Sequence, residues 1–182
     1  MGRFFDKIKD MATIRSKKFI LRPYKKGDEG SLKENINNKK IYRNTSVIPY
    51  PYTLKCAKDW IKKNLEETKN KKPAMVNFVI DIDGEVAGAV GFHKIEEHKA
   101  EIGYWLSEKY WNRGIMTTAV KLATKFGFDK LKLRRIYATV YPFNKISMHV
   151  LKNSNYKFEG ILKKYHKKDD KFLDAHFFAK VR

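Results

Sequence analysis

The stretch from Tyr110 to Ala119, YWNRGIMTTA, places a basic side chain, a glycine and two hydroxyls at the start of a long helical pattern. The first N–H groups of a helix lack intrahelical acceptors and carry partial positive charge, so they can bind an anion. Gly114 has no Cβ to keep a phosphate from its amide, Arg113 adds a positive charge, and Thr117 and Thr118 are further candidate donors. An anionic ligand is therefore expected to cap this helix. The alternative is that Gly114 only relieves a tight turn.

The elements before this loop read as a strand, two helices and a hairpin. An apolar run within Lys17–Asp28 predicts a strand, and Asp28 is expected to cap a helix that begins at Glu29. The segment 41–52, with two prolines and three tyrosines, predicts a loop. Thr53 then predicts the N-cap of a second helix, whose apolar residues share one face and which ends before Pro73.

The remaining elements predict a mixed α/β sheet. Asp83-Gly84 between two alternating apolar runs indicates a β-hairpin, and a further strand follows from Lys99 to Ser107. The opening stretch supplies a helix to about residue 130, followed by a strand at 133–141, a short helix from Asn144 and a closing hairpin that turns at Asp169-Asp170. A strand-helix-strand crossover among meandering strands predicts both parallel and antiparallel pairing.

Composition narrows the class of protein and the compartment. The chain has 182 residues, 42% of them apolar, which predicts one globular domain, and no window is long and apolar enough for a membrane span. The start lacks the features of a secretory signal, and a single cysteine, Cys56, fits a reducing cytoplasm. The five histidines lack the spacing of metal ligands, so no metal is expected.

The formal net charge of +20 would attract polyanions such as RNA or the ribosome. The basic residues are mostly lysines spread along the chain, so the charge could equally reflect composition alone.

The segment EIGYWLSEKYWNRGIMTTAVKLATKFGFDKLKLRRIYATVYPFNKISMHVLKNSNYKFEG resembles the core of the GNAT acetyltransferases. It is most similar to the branch of ribosomal-protein N-terminal acetyltransferases, which also holds spermidine acetyltransferases. The resemblance implies a GNAT fold over residues 17–182, after a short N-terminal extension at 1–16. That fold is a mixed, mostly antiparallel twisted sheet with flanking helices, splayed between two central parallel strands.

The resemblance also implies acetyl-CoA as cofactor. The family's pyrophosphate loop, Gln/Arg-x-x-Gly-x-Gly/Ala, matches residues 111–116, where Trp111 replaces the basic residue and Met116 replaces the small one, which would narrow the loop. Asn144 resembles a family residue that hydrogen-bonds the cofactor arm, with Ser147 nearby. The implied cofactor contacts are Tyr104, Trp105, Leu106, Trp111, Asn112, Arg113, Gly114, Ile115, Met116, Thr117, Thr118, Asn144 and Ser147.

Acetyl transfer to an amine needs a base for the amine and an acid for the leaving thiolate. Glu101 is the candidate base, since in an alternating strand it shares a face with Gly103 and Trp105; the alternative is an ion-paired surface glutamate. The usual family acid is a tyrosine, but Leu151 stands there, and the resemblance suggests Ser147 as substitute. Ser147 could instead only contact the cofactor.

The expected acceptor is the α-amino group of a protein or peptide, such as a ribosomal protein. A polyamine or another small amine is the alternative substrate, and a non-catalytic module that binds CoA or RNA is the alternative class. The acceptor site of the family maps to segment 41–53, where Tyr42, Arg43, Tyr50 and Tyr52 are the candidate contacts. The oligomeric state is left open between monomer and homodimer.

Overall fold

Eight strands form one sheet in the computed structural model, which describes residues 13–182. Their order across the sheet is β1-β2-β3-β4-β5-β6-β8-β7. The strands are β1 (Ile14–Arg15), β2 (Ile20–Arg22), β3 (Met75–Ile82), β4 (Glu85–Glu96), β5 (Lys99–Leu106), β6 (Arg135–Val140), β7 (Lys157–Lys168) and β8 (Lys171–Val181). All neighbours pair antiparallel except β5 and β6, which are parallel. This mixed, mostly antiparallel sheet with flanking helices confirms the expected fold class.

Five helices within residues 13–182 flank the sheet: α1 (Glu29–Ile36), α2 (Lys39–Asn44), α3 (Leu54–Glu67), α4 (Ile115–Asp129) and α5 (Lys145–Asn153). A single 3₁₀ turn, Glu108–Tyr110, precedes α4. One cluster of buried side chains contains residues of α4 and α5, and the other contains residues of α1, α2 and α3. The sheet therefore separates two apolar layers, and side chains alternate between them along each strand. None of the helices in the described residues is long and apolar enough to cross a membrane.

Local sequence signals account for most element boundaries. The Thr53 side chain accepts a hydrogen bond from the amide of Cys56 and so caps α3 as predicted. Asp83 and Gly84, with φ of 53° and 86°, form the predicted turn between β3 and β4. Positive φ at Asp169 and Asp170 likewise closes the hairpin of β7 and β8. These turns fix the register of both hairpins.

Two local predictions were wrong. Asp28 makes no capping bond with its side chain; that carboxylate instead accepts two bonds from the buried guanidinium of Arg22, each 2.8 Å long. Without this pair, Arg22 would be a buried charge lacking one of its carboxylate partners, a cost larger than that of a missing cap. Segment 41–52 is not entirely loop, because its first residues belong to α2, which Asn38 caps through its side chain.

The expected extension at 1–16 lies mostly outside the described residues. Within its last part, Ile14 and Arg15 pair with Leu21 and Ile20 of β2.

Candidate active site

The parallel strands β5 and β6 diverge and leave an opening in the sheet, which we call the fork. They pair at only three positions, and the last pair is Glu101 with Tyr137. Beyond it, β5 continues to Leu106, paired with β4 alone, while β6 continues to Val140 beside β8. The edge of β5 that faces away from β4 therefore presents backbone groups without a strand partner past Glu101. An extended ligand can bond to such an edge.

The loop that enters α4 lies at the open end of this fork. Asn112 and Gly114 both adopt positive φ, 60° and 71°, and Gly114 is the N-cap of α4 without a side-chain capping bond. A Cβ built on Gly114 would meet nothing within 4 Å, and residues 112–114 are exposed, so a ligand can approach this turn. The first N–H groups of a helix lack intrahelical acceptors, which suits a phosphate.

The side chains of this loop have roles that the sequence did not show. The indole of Trp111 donates a 2.8 Å bond to the carbonyl of Leu106 and so ties the loop to the end of β5. The hydroxyl of Thr118 donates to the carbonyl of Gly114. Ile115 and Met116 are buried in the core, so Met116 does not narrow the loop. Anion binding here would rest on backbone N–H groups and the exposed Arg113.

Glu101 lies at the branch point of the fork. The hydroxyl of Thr139, on β6, donates a 2.6 Å bond to one carboxylate oxygen, and the ammonium of Lys94, on β4, lies 2.8 Å from the other. The Glu101 side chain is 16% exposed, which leaves it accessible to a small group. A β-bulge in β4 orients Lys94 toward it, with φ of 49° at Lys94. This carboxylate is therefore held in place from both strands that flank β5.

Aromatic and imidazole side chains surround this carboxylate. His93 pairs in register with Glu101 across β4 and β5, so the two share a face, and its ring lies 6.4 Å from that of Trp60. Burial lowers the pKa of His93 below its usual value, which keeps the ring neutral at neutral pH. Burial likewise raises the pKa of Tyr137, so its phenol stays protonated. The surroundings of Glu101 are thus mostly uncharged, except for Lys94.

Tyr104 and Ser147 meet on the opposite face of the sheet. The Tyr104 hydroxyl lies 2.8 Å from the Ser147 hydroxyl and donates to the Ser147 carbonyl at 3.2 Å. Burial raises the pKa of Tyr104, so this phenol is a protonated donor at neutral pH. The sequence analysis named Tyr104 only as a cofactor contact and missed this pair. Leu151, at the position of the family tyrosine, is fully buried.

Asn144 uses both ends of its side chain within the protein. Its carbonyl oxygen accepts from the amide of Ser147 and caps α5, and its amide nitrogen donates to the carbonyl of Asn44. Asn144 therefore connects α5 to the C-terminal end of α2. Contact with the cofactor arm, which the resemblance implies, stays a prediction for this residue.

The C-terminal part of α2 is attached to the tip of the β7–β8 hairpin. The ammonium of Lys168 donates to the carbonyls of Tyr42 and Thr45, and the Tyr42 hydroxyl donates to Asp169. At its start, α2 is bound to the 3₁₀ turn, since Asn38 donates to Glu108 at 2.8 Å. This segment lies on the same side of the sheet as Glu101.

The candidate acceptor residues differ in exposure. Tyr42 and Tyr50 lie 6.0 Å apart with tilted rings, and Arg43 lies over the ring of Phe143. Tyr50 is 40% exposed, whereas Tyr52 is 6% exposed and packs in the core with Ile41. Tyr42, Arg43 and Tyr50 are therefore accessible to a ligand, whereas Tyr52 is buried, and contact of these residues with an acceptor stays a prediction.

Comparison with known proteins places this geometry in a family. Residues 18–157 match the model of the GNAT acetyltransferase domain. The chain is 26% identical to an uncharacterized N-acetyltransferase, p20, of Bacillus licheniformis, over 94% of this chain and 97% of p20. It is 28% identical to the spermidine N(1)-acetyltransferase of Escherichia coli K12, over 78% of this chain and 74% of that protein.

Solved structures show the same fold. A GNAT-family acetyltransferase from Bacillus anthracis superposes with a TM-score of 0.79 at 25% identity, covering 93% of this chain and 98% of that one. RimL, a ribosomal L7/L12 alpha-N-protein acetyltransferase in complex with coenzyme A, superposes with a TM-score of 0.84 at 20% identity, covering 93% and 98%.

The chain belongs to the GNAT acetyltransferase family. It is an N-acetyltransferase, and the enzyme class and the cofactor, acetyl-CoA, that the resemblance implied are confirmed. The fork and the open N-terminus of α4 fit this cofactor, because they offer an unpaired strand edge and an accessible anion site.

Proposed function

We propose that this enzyme acetylates the α-amino group of a protein or peptide, as ribosomal-protein acetyltransferases do, in the cytoplasm. The observation that carries the proposal is the carboxylate of Glu101 at the branch point of β5 and β6, bonded by Thr139. The similarity of fold to RimL supports a protein acceptor. The formal charge of +20 is compatible with association with a ribosome or with RNA.

The proposed chemistry uses the two faces of the sheet. Bound acetyl-CoA supplies an acetyl thioester, which an amine can attack directly. Glu101 accepts a proton from the acceptor amine. An α-amino group in solution has a pKa of about 7.7–8.0, so the amine is largely protonated at neutral pH before it binds. On the other face, the hydroxyls of Tyr104 and Ser147 hold a proton that they can deliver to the leaving sulfur. The residues around the fork position these groups.

A polyamine is the alternative acceptor, because the chain is also similar to a spermidine N(1)-acetyltransferase. The polar groups next to Glu101 argue against it. The nearest charged neighbour of Glu101 is the ammonium of Lys94, which would repel a second ammonium on the substrate. A non-catalytic module that binds CoA or RNA would need neither the Glu101–Thr139 contact nor the Tyr104–Ser147 pair.

Replacement of the carboxylate tests the proposed base. We expect Glu101→Gln to lower kcat by about 10²-fold or more, because the amide keeps the shape but accepts no proton. KM for acetyl-CoA should change little, since Glu101 would contact the amine and not the cofactor. Steady-state kinetics with acetyl-CoA and peptide acceptors give both constants.

A matched control is Glu159→Gln, which removes a glutamate of the edge strand β7 from an ion pair, here with Arg135 on β6. This variant should retain its kcat. A Glu101→Gln enzyme with normal kcat would mean that catalysis rests on positioning alone. A wild-type enzyme that acetylates polyamines but no peptide would contradict the proposed acceptor.

A further inference from the structure

A distortion of β4 brings the ammonium of Lys94 to the face of the sheet that carries Glu101, where the acceptor amine would bind. The pairing of β4 with β5 shifts register between His93 and Glu96, and Lys94 at this bulge adopts φ of 49°. A lysine at positive φ is unusual and carries a backbone cost. In a regular strand, residues 93 and 94 would point to opposite faces, whereas the bulge brings Lys94 to the face of Glu101.

Lys94 remains accessible although it is ion-paired. Its side chain is 59% exposed, and its hydrogen bond with Glu101 raises its pKa, so it is charged at neutral pH. The phenols of Tyr137 and Tyr165 lie near enough to interact electrostatically with this ammonium. When the amine of an acceptor reaches Glu101, the polar group nearest to that amine therefore lies beside the positive charge of Lys94.

The other carboxylates near this face already have cationic or hydroxyl partners. Glu96 lies 3.0 Å from the ammonium of Lys99, and Asp169 accepts the bond from Tyr42. Glu101 would be occupied by the acceptor amine itself. When that amine displaces Lys94 from Glu101, Lys94 loses its ion-pair partner, and a carboxylate on the acceptor can take that place.

We propose that Lys94 selects acceptors that carry a carboxylate close to the reactive amine, such as a peptide N-terminus with an acidic residue at its first or second position. This inference rests on the proposed function, because it takes Glu101 as the group that receives the amine. The acceptor carboxylate replaces Glu101 as the partner of Lys94, so both charges at the site stay paired. A diamine would instead place two ammonium groups beside Lys94, which is unfavourable.

Two matched series of acceptors test the selection. The first consists of peptides that begin with serine and differ only at the second residue, which is glutamate, glutamine or lysine. The second consists of alanine, alaninamide and propylenediamine, which share one carbon skeleton. The quantity measured is the ratio of kcat/KM for the acidic member to that for the basic member in each series. Comparing this ratio between variants cancels the intrinsic basicity of each amine.

We expect the wild-type ratio to be about ten. A partly exposed charge such as Lys94 attracts the acidic acceptor and repels the basic one, and the two effects together can produce a ratio of this size. Lys94→Gln should abolish the preference, Lys94→Glu should reverse it, and Lys94→Arg should restore it. Rescue by arginine separates selection by charge from a merely structural role. Lys125→Gln, which removes another exposed lysine from an ion pair, with Asp129 on α4, should leave the ratio unchanged.

An unchanged ratio in Lys94→Gln, or a wild-type preference for the basic members, would overturn the inference. Turnover of the small amines without turnover of any peptide would instead refute the proposed protein acceptor, and the charge preference would then be read from the second series. Equal turnover of all peptides would support the protein acceptor and refute only the role of Lys94.

Discussion

At the scale of single residues, the partners of Glu101 define what this carboxylate can do. The hydroxyl of Thr139 can stay bonded while the acceptor binds, because it is neutral and lies on β6. In the proposed reaction, the ammonium of Lys94 would move or be shared, because it would compete with the acceptor amine for the other oxygen. One partner therefore positions the proposed base, and the other is expected to limit which amines reach it.

The hydroxyl pair on the opposite face is expected to act as one unit. Tyr104→Phe and Ser147→Ala each break the 2.8 Å contact between the two hydroxyls, and each should lower kcat by about ten- to a hundredfold. The double variant should be little worse than the poorer single variant, because groups that act together give non-additive losses. Steady-state kcat values of the wild type, the two single variants and the double variant form a double-mutant cycle that measures this coupling. Fully additive losses would show that the two hydroxyls act separately.

The open space at Gly114 makes the cofactor site testable by binding alone. Gly114→Glu would place a carboxylate before the N–H groups of α4, so acetyl-CoA should no longer raise the melting temperature of the protein. The measurement is the thermal shift of each variant relative to its own unliganded value.

Gly84→Glu is the matched control for this variant. Gly84 also has positive φ and open space around a built Cβ, but it lies in the β3–β4 turn. Gly84→Glu therefore has a similar backbone cost and adds the same charge as Gly114→Glu. Because it lies away from the proposed cofactor site, acetyl-CoA should still stabilise this variant. A normal shift in Gly114→Glu would contradict the placement of the phosphates.

The conformation of single residues was predictable where the backbone alone carries the signal. Glycine at position 114, before a helix, fits its positive φ of 71°, whereas anion binding by Gly114 and Arg113 stays a prediction. Lys94 was not predictable, because nothing in the sequence shows the bulge that turns it toward Glu101. The Tyr104 hydroxyl was missed because its partner lies 43 residues away on α5.

At the scale of elements, close contact between β3 and β4 limits what the central sheet accepts. A Cβ on Gly91 would lie 1.9 Å from the side-chain oxygen of Asn77 and 2.7 Å from the carbonyl of Val76. The buried amide of Asn77 donates to Asn64 of α3 at 2.9 Å, so a displaced Asn77 would also strain the contact between sheet and helix. This glycine therefore sets how closely the two strands and α3 pack.

Alanine substitutions separate this steric demand from the general effect of removing a glycine. We expect Gly91→Ala to destabilise the fold by about 1–3 kcal/mol or more, because overpacking shifts backbone atoms. Gly30→Ala, within α1, meets nothing within 4 Å and should stabilise by about 0.5–1 kcal/mol, because alanine favours a helix. Urea unfolding midpoints measure both effects. A neutral Gly91→Ala would mean that β3 and β4 can separate without cost.

Elements were predictable where the decisive interaction is local in sequence. Thr53 and Asp83-Gly84 determine their own helix start and turn, so both predictions were correct. The capping role of Asp28 was wrong because Arg22 and Asp81 form a buried charge network with it, which depends on the pairing of β2 with β3. The short α2 was missed because two prolines and three tyrosines suggested a loop, although both prolines and two of the tyrosines lie beyond its end.

At the scale of the whole molecule, the positive charge is distributed over several surfaces. An exposed stripe of Lys55, Lys58 and Lys62 runs along the outer face of α3, and a second group, Lys163, Lys164 and Lys167, lies near the tip of the β7–β8 hairpin. Some of these lysines are paired with acidic side chains, as Lys163 is with Asp174 at 3.0 Å. The charge could therefore act as a general attraction for polyanions or through one of the two groups.

Salt dependence distinguishes these two possibilities and tests whether the charge has a partner at all. Binding to a short single-stranded RNA can be measured by fluorescence anisotropy and should weaken steeply with salt. In a plot of the logarithm of the binding constant against the logarithm of the salt concentration, each phosphate contact should steepen the slope by about 0.7. Replacing the three lysines of the α3 stripe by glutamine should reduce the slope by about 2 if that stripe forms the contact surface. The same replacement at the hairpin tip is the matched control, since it removes an equal formal charge elsewhere. Equal small reductions in both variants would indicate a distributed attraction, whereas a flat salt response, or no binding at low salt, would show that the net charge does not recruit RNA.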